Sequence, residues 1–245
     1  MKAFWWFERN SIAGMARPGL NQTPWFDLSF EEAVLLGWIG QYSSGPVPLS
    51  SFHTHLDTYG KKILPYYVKK GLTKKESLNF FLDNHYLYDV LKKMHLERTI
   101  IQHFDLKDDH IHFEFDMKRL YWEIDFLKEK GVEKIVSLTE KHHFSEILSK
   151  HFSLHHFSIV DMDAPKFEYV EEMAKILEEA KYEKDVVAVH CLAGIGRTTT
   201  LILAACLARG EKLDHLLKKV AKQNPIFELM GPQADFIQLC AKNYS

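Results

Sequence analysis

Cysteine is scarce in this sequence, and its scarcity narrows the class of protein. The chain has 3 cysteines in 245 residues, at positions 191, 206 and 240, and none belongs to a CxxC pair. An odd, small number of cysteines argues against a disulfide framework. The chain is therefore expected to work in a reducing compartment, where a thiol stays reduced.

Excess charge and long apolar runs are also missing. The chain carries 31 basic and 33 acidic residues, a net charge of −2, so neither a nucleic-acid surface nor an acidic tail is expected. The longest apolar run, Leu201–Ala208, is far shorter than a membrane span, and the apolar run near Met1 is too short for a signal peptide. These absences predict a cytoplasmic protein with no membrane segment and no nucleic-acid partner.

The second half of the sequence alternates between helix and strand patterns. Helical patterns begin at Met117, Tyr169, Leu213 and Gln233, and strand-like apolar runs cover Val132–Leu138, about Phe157–Val160 and Asp185–Val189. This alternation predicts the α/β class, with a central, mostly parallel sheet flanked by helices.

The first half carries helix and hairpin signals of a different kind. A capping box at Ser29–Glu32 predicts a short helix, and a second one opens the long amphipathic helix predicted for Thr73–Met94. Alternating residues predict a hairpin within Thr99–Phe115, and the Ser-, Gly- and Pro-rich segment Gln41–Ser51 is predicted to be a loop.

One pair of histidines raises the question of a metal site. His53 and His55 would point the same way on a strand, a spacing that suits two imidazole ligands. No motif ties a third ligand to them, so a surface pair is the preferred interpretation. Neither a metal nor another cofactor is predicted.

The strongest functional signal lies between Asp185 and Ala208. Asp185–Val189 predicts a buried strand, and Thr199–Ala208 predicts a buried helix that is closed by Gly210. The short loop between them has a cysteine near one end and an arginine near the other. Strand, loop and helix form an anion cradle, because backbone N–H groups and the positive end of the helix dipole converge there.

The residue types in this loop suit phosphoryl chemistry. Cys191, at the floor of the cradle, would be held as the nucleophilic thiolate. Gly194 and Gly196 permit the backbone angles that turn loop N–H groups inward. Arg197 can grip two phosphoryl oxygens bidentately, and Thr198 can place a hydroxyl near the sulfur.

A nucleophile of this kind needs a proton donor for the departing oxygen. The segment Asp161–Pro165 lies at the end of a predicted strand and before a helix. From such a loop, a carboxylic acid could reach over the cradle. Asp161 is favoured as the acid, and Asp163 is the alternative.

Several of these motifs resemble those of one enzyme superfamily. The loop HCLAGIGRT matches the HCxxGxxR[ST] signature of the protein tyrosine phosphatase superfamily, and Ile159–Pro165 resembles the DxxxP acid loop of its small dual-specificity members. Ile12–Gly19 and Val132–Glu140 are similar to the LAGxARPG and GVxxIVSLTE stretches of the small atypical enzymes. The resemblance implies the cysteine-based phosphatase fold. It covers about residues 10–20 and 118–245, so a single domain over 1–245 with a helical and hairpin insertion at about 40–115 is expected.

The resemblance implies a role for each matching residue. Cys191 would be the nucleophile, and Asp161 the general acid and then the base. Thr198 would stabilise the thiolate, and Gln233 is similar to a glutamine that orients the hydrolytic water. The phosphate would be bound by the loop that follows the nucleophile, which comprises Leu192, Ala193, Gly194, Ile195, Gly196 and Arg197. The chain departs from the family pattern at Thr199, where glycine is usual.

The implied activity is metal-independent hydrolysis of phosphotyrosine, and of phosphoserine and phosphothreonine, in a phosphorylated protein through a thiophosphate intermediate. A phosphoinositide, an inositol phosphate or an RNA 5′-phosphate is the alternative substrate, disfavoured by the apolar Leu192, Ala193 and Ile195. A phosphate-binding module without catalysis is the alternative of another class, although such modules usually lack the cysteine, the arginine or the acid. The insertion could select substrates as a lid or dock a partner, and the sequence leaves both open.

Overall fold

The computed structural model describes residues 4–19, 29–42, 45–74, 101–224 and 231–244, together with Leu87, Asp89, Val90, Lys92, Phe227 and Leu229. The chain divides into two units. One unit comprises Met1–Pro18 and Tyr121–Ser245, and the other comprises Gly19–Leu120. The chain therefore leaves the first unit after Pro18 and returns to it at Tyr121.

Strands and helices of the described residues are numbered in chain order. The strands are β1 (Phe4–Glu8), β2 (Ile12–Ala16), β3 (Val47–Pro48), β4 (Ile101–Lys107), β5 (His110–Phe115), β6 (Val132–Ser137), β7 (Ser153–His156) and β8 (Val186–Cys191). The helices are α1 (Phe30–Ile39), α2 (Leu49–His55), α3 (Lys61–Lys69), α4 (Met117–Glu129), α5 (Ser145–Leu148), α6 (Phe167–Glu183), α7 (Gly196–Ala208), α8 (Leu213–Gln223) and α9 (Pro232–Asn243). A π-helical turn (Leu56–Gly60) joins α2 to α3.

The first unit is built on a five-stranded sheet with the order β1-β2-β8-β6-β7. Only β1 runs antiparallel to its neighbour, and the pairs β2–β8, β8–β6 and β6–β7 are parallel. The predicted α/β class and mostly parallel sheet are therefore confirmed. All six residues of β8 are buried, as expected for a central strand with both faces covered. Helices α6 and α7 pack against β8, so this strand and the loop that follows it rest on a closed core.

The register of the three central strands places the end of β8 between the ends of β2 and β6. Ala16 of β2 lies opposite Cys191, and Ser137 of β6 lies opposite His190. The residues that follow β2 and β6 therefore emerge on either side of the loop that follows β8. Ligands of parallel sheets bind at this carboxyl edge.

The strand predicted near Phe157–Val160 is displaced in the structure. The paired strand is β7, Ser153–His156, which ends just before it. The following residues stay extended, because the Phe157 amide donates to Ser137 O (2.9 Å) and the Ile159 amide donates to Leu138 O (3.2 Å). This extension carries the chain to Asp161 at the carboxyl edge of the sheet.

The second unit contains α1 to α3 and a three-stranded antiparallel sheet with the order β3-β5-β4. The predicted hairpin is confirmed as β4 and β5, which are joined by Asp108 and Asp109, both at positive φ. The loop prediction for Gln41–Ser51 is wrong in part, because β3 and the first turn of α2 lie within it. The amphipathic helix predicted for Thr73–Met94 lies mostly outside the described residues.

The interpretation of His53 and His55 as a surface pair is wrong for His55. Both residues lie on α2, and His55 is buried. Its Nδ1 is 2.8 Å from Gln41 Nε2, and its Nε2 donates to Val34 O (3.1 Å). His55 therefore serves the core of this unit, because an imidazole with two polar partners can be buried at little cost.

The capping box predicted at the start of α1 forms as expected. The Glu32 amide donates to Ser29 Oγ (3.2 Å), and the Ser29 amide donates to Glu32 Oε2 (2.7 Å). Two N–H groups that the helix itself cannot satisfy are thereby bonded.

Replacement of the capping hydroxyl tests this local contribution. Ser29→Ala should lower the free energy of unfolding by about 1 kcal/mol, because the Glu32 amide loses its acceptor. Chemical denaturation of the full chain measures the change. Ser50→Ala is the matched control and should have almost no effect, since Ser50 is exposed. An equal effect of both variants would contradict a specific role for the cap.

Candidate active site

The candidate nucleophile lies at the last position of β8, directly before a tight loop. Cys191 is buried and is not part of a disulfide. Its Sγ accepts a hydrogen bond from the Gly194 amide at 3.3 Å. The backbone therefore curls back over the sulfur before α7 begins at Gly196. An amide and a helix N-terminus directed at the same place favour a negative charge there.

Gly194 is the residue that lets the loop turn in this way. Its φ is +76°, in the left-handed region that side chains with a Cβ avoid. A Cβ at this position would also lie 2.5 Å from Met15 O and 2.7 Å from Ala16 N. The Gly194 carbonyl accepts a hydrogen bond from Trp5 Nε1 at 3.1 Å. The loop is thus held against β2 by close backbone contact and by an indole donor from β1.

Arg197, in the first turn of α7, is the charged centre of the site. Its side chain is only 2% exposed. Its Nη1 donates to Ile159 O (2.8 Å) and to Leu138 O (3.4 Å). These carbonyls belong to the two segments that follow β6 and β7. They fix the direction of the guanidinium, because a planar fork with several bonds has few alternative positions.

Two carboxylates complete the surroundings of this guanidinium. Asp161 Oδ1 is 2.9 Å from Nη2, and Glu140 Oε2 is 3.2 Å from Nη1. The Asp161 amide also donates to Glu140 Oε1 at 3.0 Å. Arg197, Asp161 and Glu140 therefore form one connected group.

Glu140 was missed as a functional residue in the sequence. It is the last residue of the segment Val132–Glu140 that resembles the family, so the signal was present. Its role depends on distance in the folded chain, because Glu140 and Arg197 are 57 positions apart. A single sequence gives no indication of that proximity.

The two candidate acids differ in the contacts that the structure describes, which involve the side chain of Asp161 and the backbone of Asp163. Asp161 faces Arg197, and its Oδ1 accepts a hydrogen bond from the Met162 amide (3.0 Å). The backbone of Asp163 closes the turn, since its amide donates to Val160 O (3.0 Å) and its carbonyl accepts from Gln233 Nε2 (3.3 Å). Asp161 is thus the carboxylate beside the guanidinium.

Gln233 and Thr198 also lie at the site. Gln233, in the first turn of α9, is buried and contacts Asp163 O, and a Cβ at Gly196 would lie 2.8 Å from its Oε1. It therefore touches both the acid loop and the phosphate loop. The buried Thr198 Oγ1 has no hydrogen-bond partner among the described residues, so its hydroxyl is available to a group in the cradle.

His190 supports the backbone directly before the loop. Its Nδ1 donates to Cys191 O at 3.3 Å, which leaves the proton on Nδ1. Burial lowers its pKa to about 3, with a further lowering from the charge of Arg17. Burial also lowers the pKa of His143 to about 3. Both imidazoles are therefore neutral near pH 7.

The described residues provide a cradle for a tetrahedral anion. They contain no group of three or more His, Cys, Asp or Glu side chains suited to a metal ion. No helix among them is long and apolar enough to cross a membrane. Positive charge at the site comes from Arg197 and the N-terminus of α7, and the loop itself contributes the apolar side chains of Leu192, Ala193 and Ile195.

The close contact at Gly194 gives a direct test of the loop geometry. Gly194→Ala should lower the free energy of unfolding by about 3 kcal/mol or more, because strain at positive φ adds to overlap with the β2 backbone. Gly210→Ala is the matched control: Gly210 has φ +87° and no atom within 4 Å of an added Cβ. Its cost should be about 1 kcal/mol, from strain alone. Chemical denaturation measures both variants, and equal losses in the free energy of unfolding would show that Gly194 is not in close contact with β2.

The buried imidazole of His190 predicts a loss of stability in acid. Its folded pKa is about 3 and its unfolded pKa is about 6.5, so between these values the unfolded chain binds the extra proton. The free energy of unfolding should therefore fall as the pH drops from about 6.5 toward 3.

A variant comparison checks the source of this acid sensitivity. His190→Asn keeps a side-chain donor for Cys191 O and should show a shallower fall in stability with falling pH. His215→Asn, on the exposed side of α8, should keep the slope of the original protein. Identical slopes for all three proteins in denaturation at several pH values would contradict the assignment.

The comparisons with known proteins agree with this geometry. The family described as "Polymorphic toxin system, DSP-PTPase phosphatase" matches residues 117–211, which include Asp161, Cys191 and Arg197. The dual specificity protein phosphatase Mpk3 of Drosophila melanogaster is 31% identical over 112 residues, which cover 45% of this chain. The match spans 22% of the length of that curated relative.

Solved structures of the same class align with about half of the chain. PTPMT1 in complex with PI(5)P has a TM-score of 0.45 and 16% identity, over 49% of this chain and 83% of that one. Tk-PTP in the active form has a TM-score of 0.45 and 25% identity, over 49% and 85%. Human DUSP28 has a TM-score of 0.44 and 16% identity, over 49% and 83%.

The predicted resemblance is confirmed by the family match and by the curated relative. Residues 117–211 therefore match a family of dual-specificity-type phosphatases, and the chain is similar over 112 residues to a dual specificity protein phosphatase.

Proposed function

We propose that this chain is a cysteine-dependent phosphomonoester hydrolase that acts on phosphotyrosine, and on phosphoserine and phosphothreonine, in proteins. One observation carries the proposal: the buried guanidinium of Arg197 holds the Asp161 carboxylate at the mouth of the loop that encloses the Cys191 sulfur. A nucleophile, an anion ligand and a proton donor are the three parts that such a hydrolysis needs.

In the first step, the Cys191 thiolate attacks phosphorus, and a sulfur–phosphorus bond forms as the bond to the ester oxygen breaks. After the substrate has displaced it from Arg197, the Asp161 carboxylate takes up a proton from solvent and gives that proton to the departing oxygen. Charge that develops on the phosphoryl oxygens is stabilised by Arg197 and by the loop amides, which are already in place. The substrate has to displace the Asp161 carboxylate from Arg197 Nη2, which lies 2.9 Å from Asp161 Oδ1.

In the second step, water attacks phosphorus, and the sulfur–phosphorus bond breaks to return the thiolate and release inorganic phosphate. The Asp161 carboxylate accepts a proton from this water. Gln233 supports this step because its amide lies against both Gly196 and the acid loop. The hydroxyl of Thr198 can donate to the thiolate that departs.

Glu140 contributes by positioning. One oxygen contacts Arg197, and the other accepts the Asp161 amide, so Glu140 sets the separation between the anion ligand and the acid. Replacement of the Glu140 carboxylate by a neutral amide would weaken the contacts with both Arg197 and Asp161.

The rim of the site favours a phosphoprotein over a polyphosphorylated head group. The Glu140 side chain is 49% exposed and that of Asp161 is 28% exposed, and both carry negative charge at the entrance. Loop positions 192, 193 and 195 carry no basic residue. Additional phosphates on a phosphoinositide or inositol phosphate would therefore meet repulsion, whereas a single phosphate on a protein side chain would not. A thiol nucleophile also has to stay reduced, which favours the cytoplasm as the place of action.

Hydrolysis of p-nitrophenyl phosphate in the presence of EDTA tests the proposal. The original protein should turn over without added metal, and Cys191→Ser should reduce turnover to background because the nucleophile is lost. Asp161→Asn should lower kcat on the order of 10²-fold, because hydrolysis of the intermediate loses its base. Glu140→Gln should lower kcat to a smaller extent.

Two matched variants serve as controls in this assay. Cys240→Ala removes a buried cysteine on α9 and should keep full turnover. Asp163→Asn should keep most of it, and a larger loss there than in Asp161→Asn would move the acid to Asp163. A folded but inactive original protein would favour the non-catalytic binding module. Faster release of phosphate from phosphoinositides than from phosphopeptides would overturn the substrate class.

A further inference from the structure

Arg17 is a buried charged residue that the reaction described above does not use. It follows β2, whose last residue, Ala16, pairs with Cys191. The Arg17 amide donates to Leu192 O at 3.1 Å. The backbone of Arg17 is therefore bonded to the first residue of the phosphate-binding loop.

The side chain of Arg17 is enclosed by the same unit. It is 1% exposed, and its guanidinium carbon lies 5.9 Å from the centroid of the Phe144 ring. Burial lowers its pKa to about 9, and the charge of Glu123 acts in the opposite direction. Glu123, on α4, is itself 0% exposed. A buried pair of opposite charges costs desolvation energy, so it contributes little to stability by itself.

The backbone at the end of β2 is also in close contact with the phosphate-binding loop. Gly194 approaches Met15 O and Ala16 N so closely that a Cβ would overlap them. Arg17 is the next residue after Ala16. A shift of this backbone would displace the Gly194 amide, which donates to the Cys191 sulfur.

We propose that Arg17, buried against the Phe144 ring, is a positioning residue that fixes the end of β2 and thereby the phosphate-binding loop. Arg17 acts through the backbone at the end of β2, which contacts the loop at Leu192 and at Gly194. The inference rests on the proposed function, since positioning matters for the loop because the loop binds phosphate and activates Cys191.

The test compares two neutralised ion pairs. Arg17→Met with Glu123→Leu removes both buried charges, which avoids an unpaired charge and preserves folding. Arg209→Met with Glu178→Gln is the matched control, because Arg209 Nε is 2.5 Å from Glu178 Oε1 at the far end of α7. Each protein is assayed for kcat and KM on p-nitrophenyl phosphate, for binding of inorganic phosphate by calorimetry, and for the free energy of unfolding.

The expected result is a loss in kcat/KM on the order of 10²-fold for the Arg17 pair, with weaker phosphate binding and a folded protein. The Arg209 pair should keep its kinetics and phosphate binding. Arg17→Lys, which keeps the charge opposite Glu123, should recover part of the lost kcat/KM.

Unchanged kinetics and phosphate binding in the folded Arg17 pair variant would overturn the proposal, and so would an equal loss in the Arg209 pair. If the Arg17 pair variant fails to fold, Arg17→Lys decides: a reduced kcat/KM with weaker phosphate binding would support the proposal, and full kcat/KM with unweakened phosphate binding would overturn it. An original protein that binds phosphate without turnover would contradict the proposed function alone. In that case, the comparison of phosphate binding between the original protein and the Arg17 pair variant still tests whether Arg17 positions the loop.

Discussion

The buried positive charge of Arg197 is the constraint on which the rest of the site depends. A guanidinium that is 2% exposed needs oxygen atoms around it, and four groups supply them: Leu138 O, Ile159 O and the carboxylates of Glu140 and Asp161. These groups belong to the segments after β6 and β7. One side chain of α7 thus fixes the positions of the two loops that face the nucleophile.

The parallel sheet explains why these segments meet. Carboxyl ends of neighbouring parallel strands lie at the same edge, so β2, β6 and β8 deliver their following residues to one place. The central position of β8 puts Cys191 between the other two. Close contact at Gly194 then lets the loop amides turn toward the sulfur, and α7 directs its N-terminus at the same point. The sheet therefore positions the cradle, and Arg197 positions the groups around it.

The sequence predicted the features that depend on local residue patterns. The strand–loop–helix around Cys191, the capping box at Ser29 and the hairpin could be predicted because their signals lie within a few neighbouring residues. The role of Glu140 beside Arg197 and the burial of Arg17 could not, because each depends on residues far away in the chain. The burial of His55 could not be predicted for the same reason, because its contacts with Gln41 and Val34 join residues 14 and 21 positions apart.

Direct detection of the covalent intermediate tests the central claim, that Cys191 carries the phosphoryl group. In Asp161→Asn, nitrophenolate departs with little help from an acid, whereas hydrolysis lacks its base, so a phosphorylated enzyme should accumulate. The variant is mixed with p-nitrophenyl phosphate, denatured within the first turnover and mapped by mass spectrometry. The account predicts one phosphoryl group on Cys191. Phosphate on another residue, or none during measurable turnover, would contradict it.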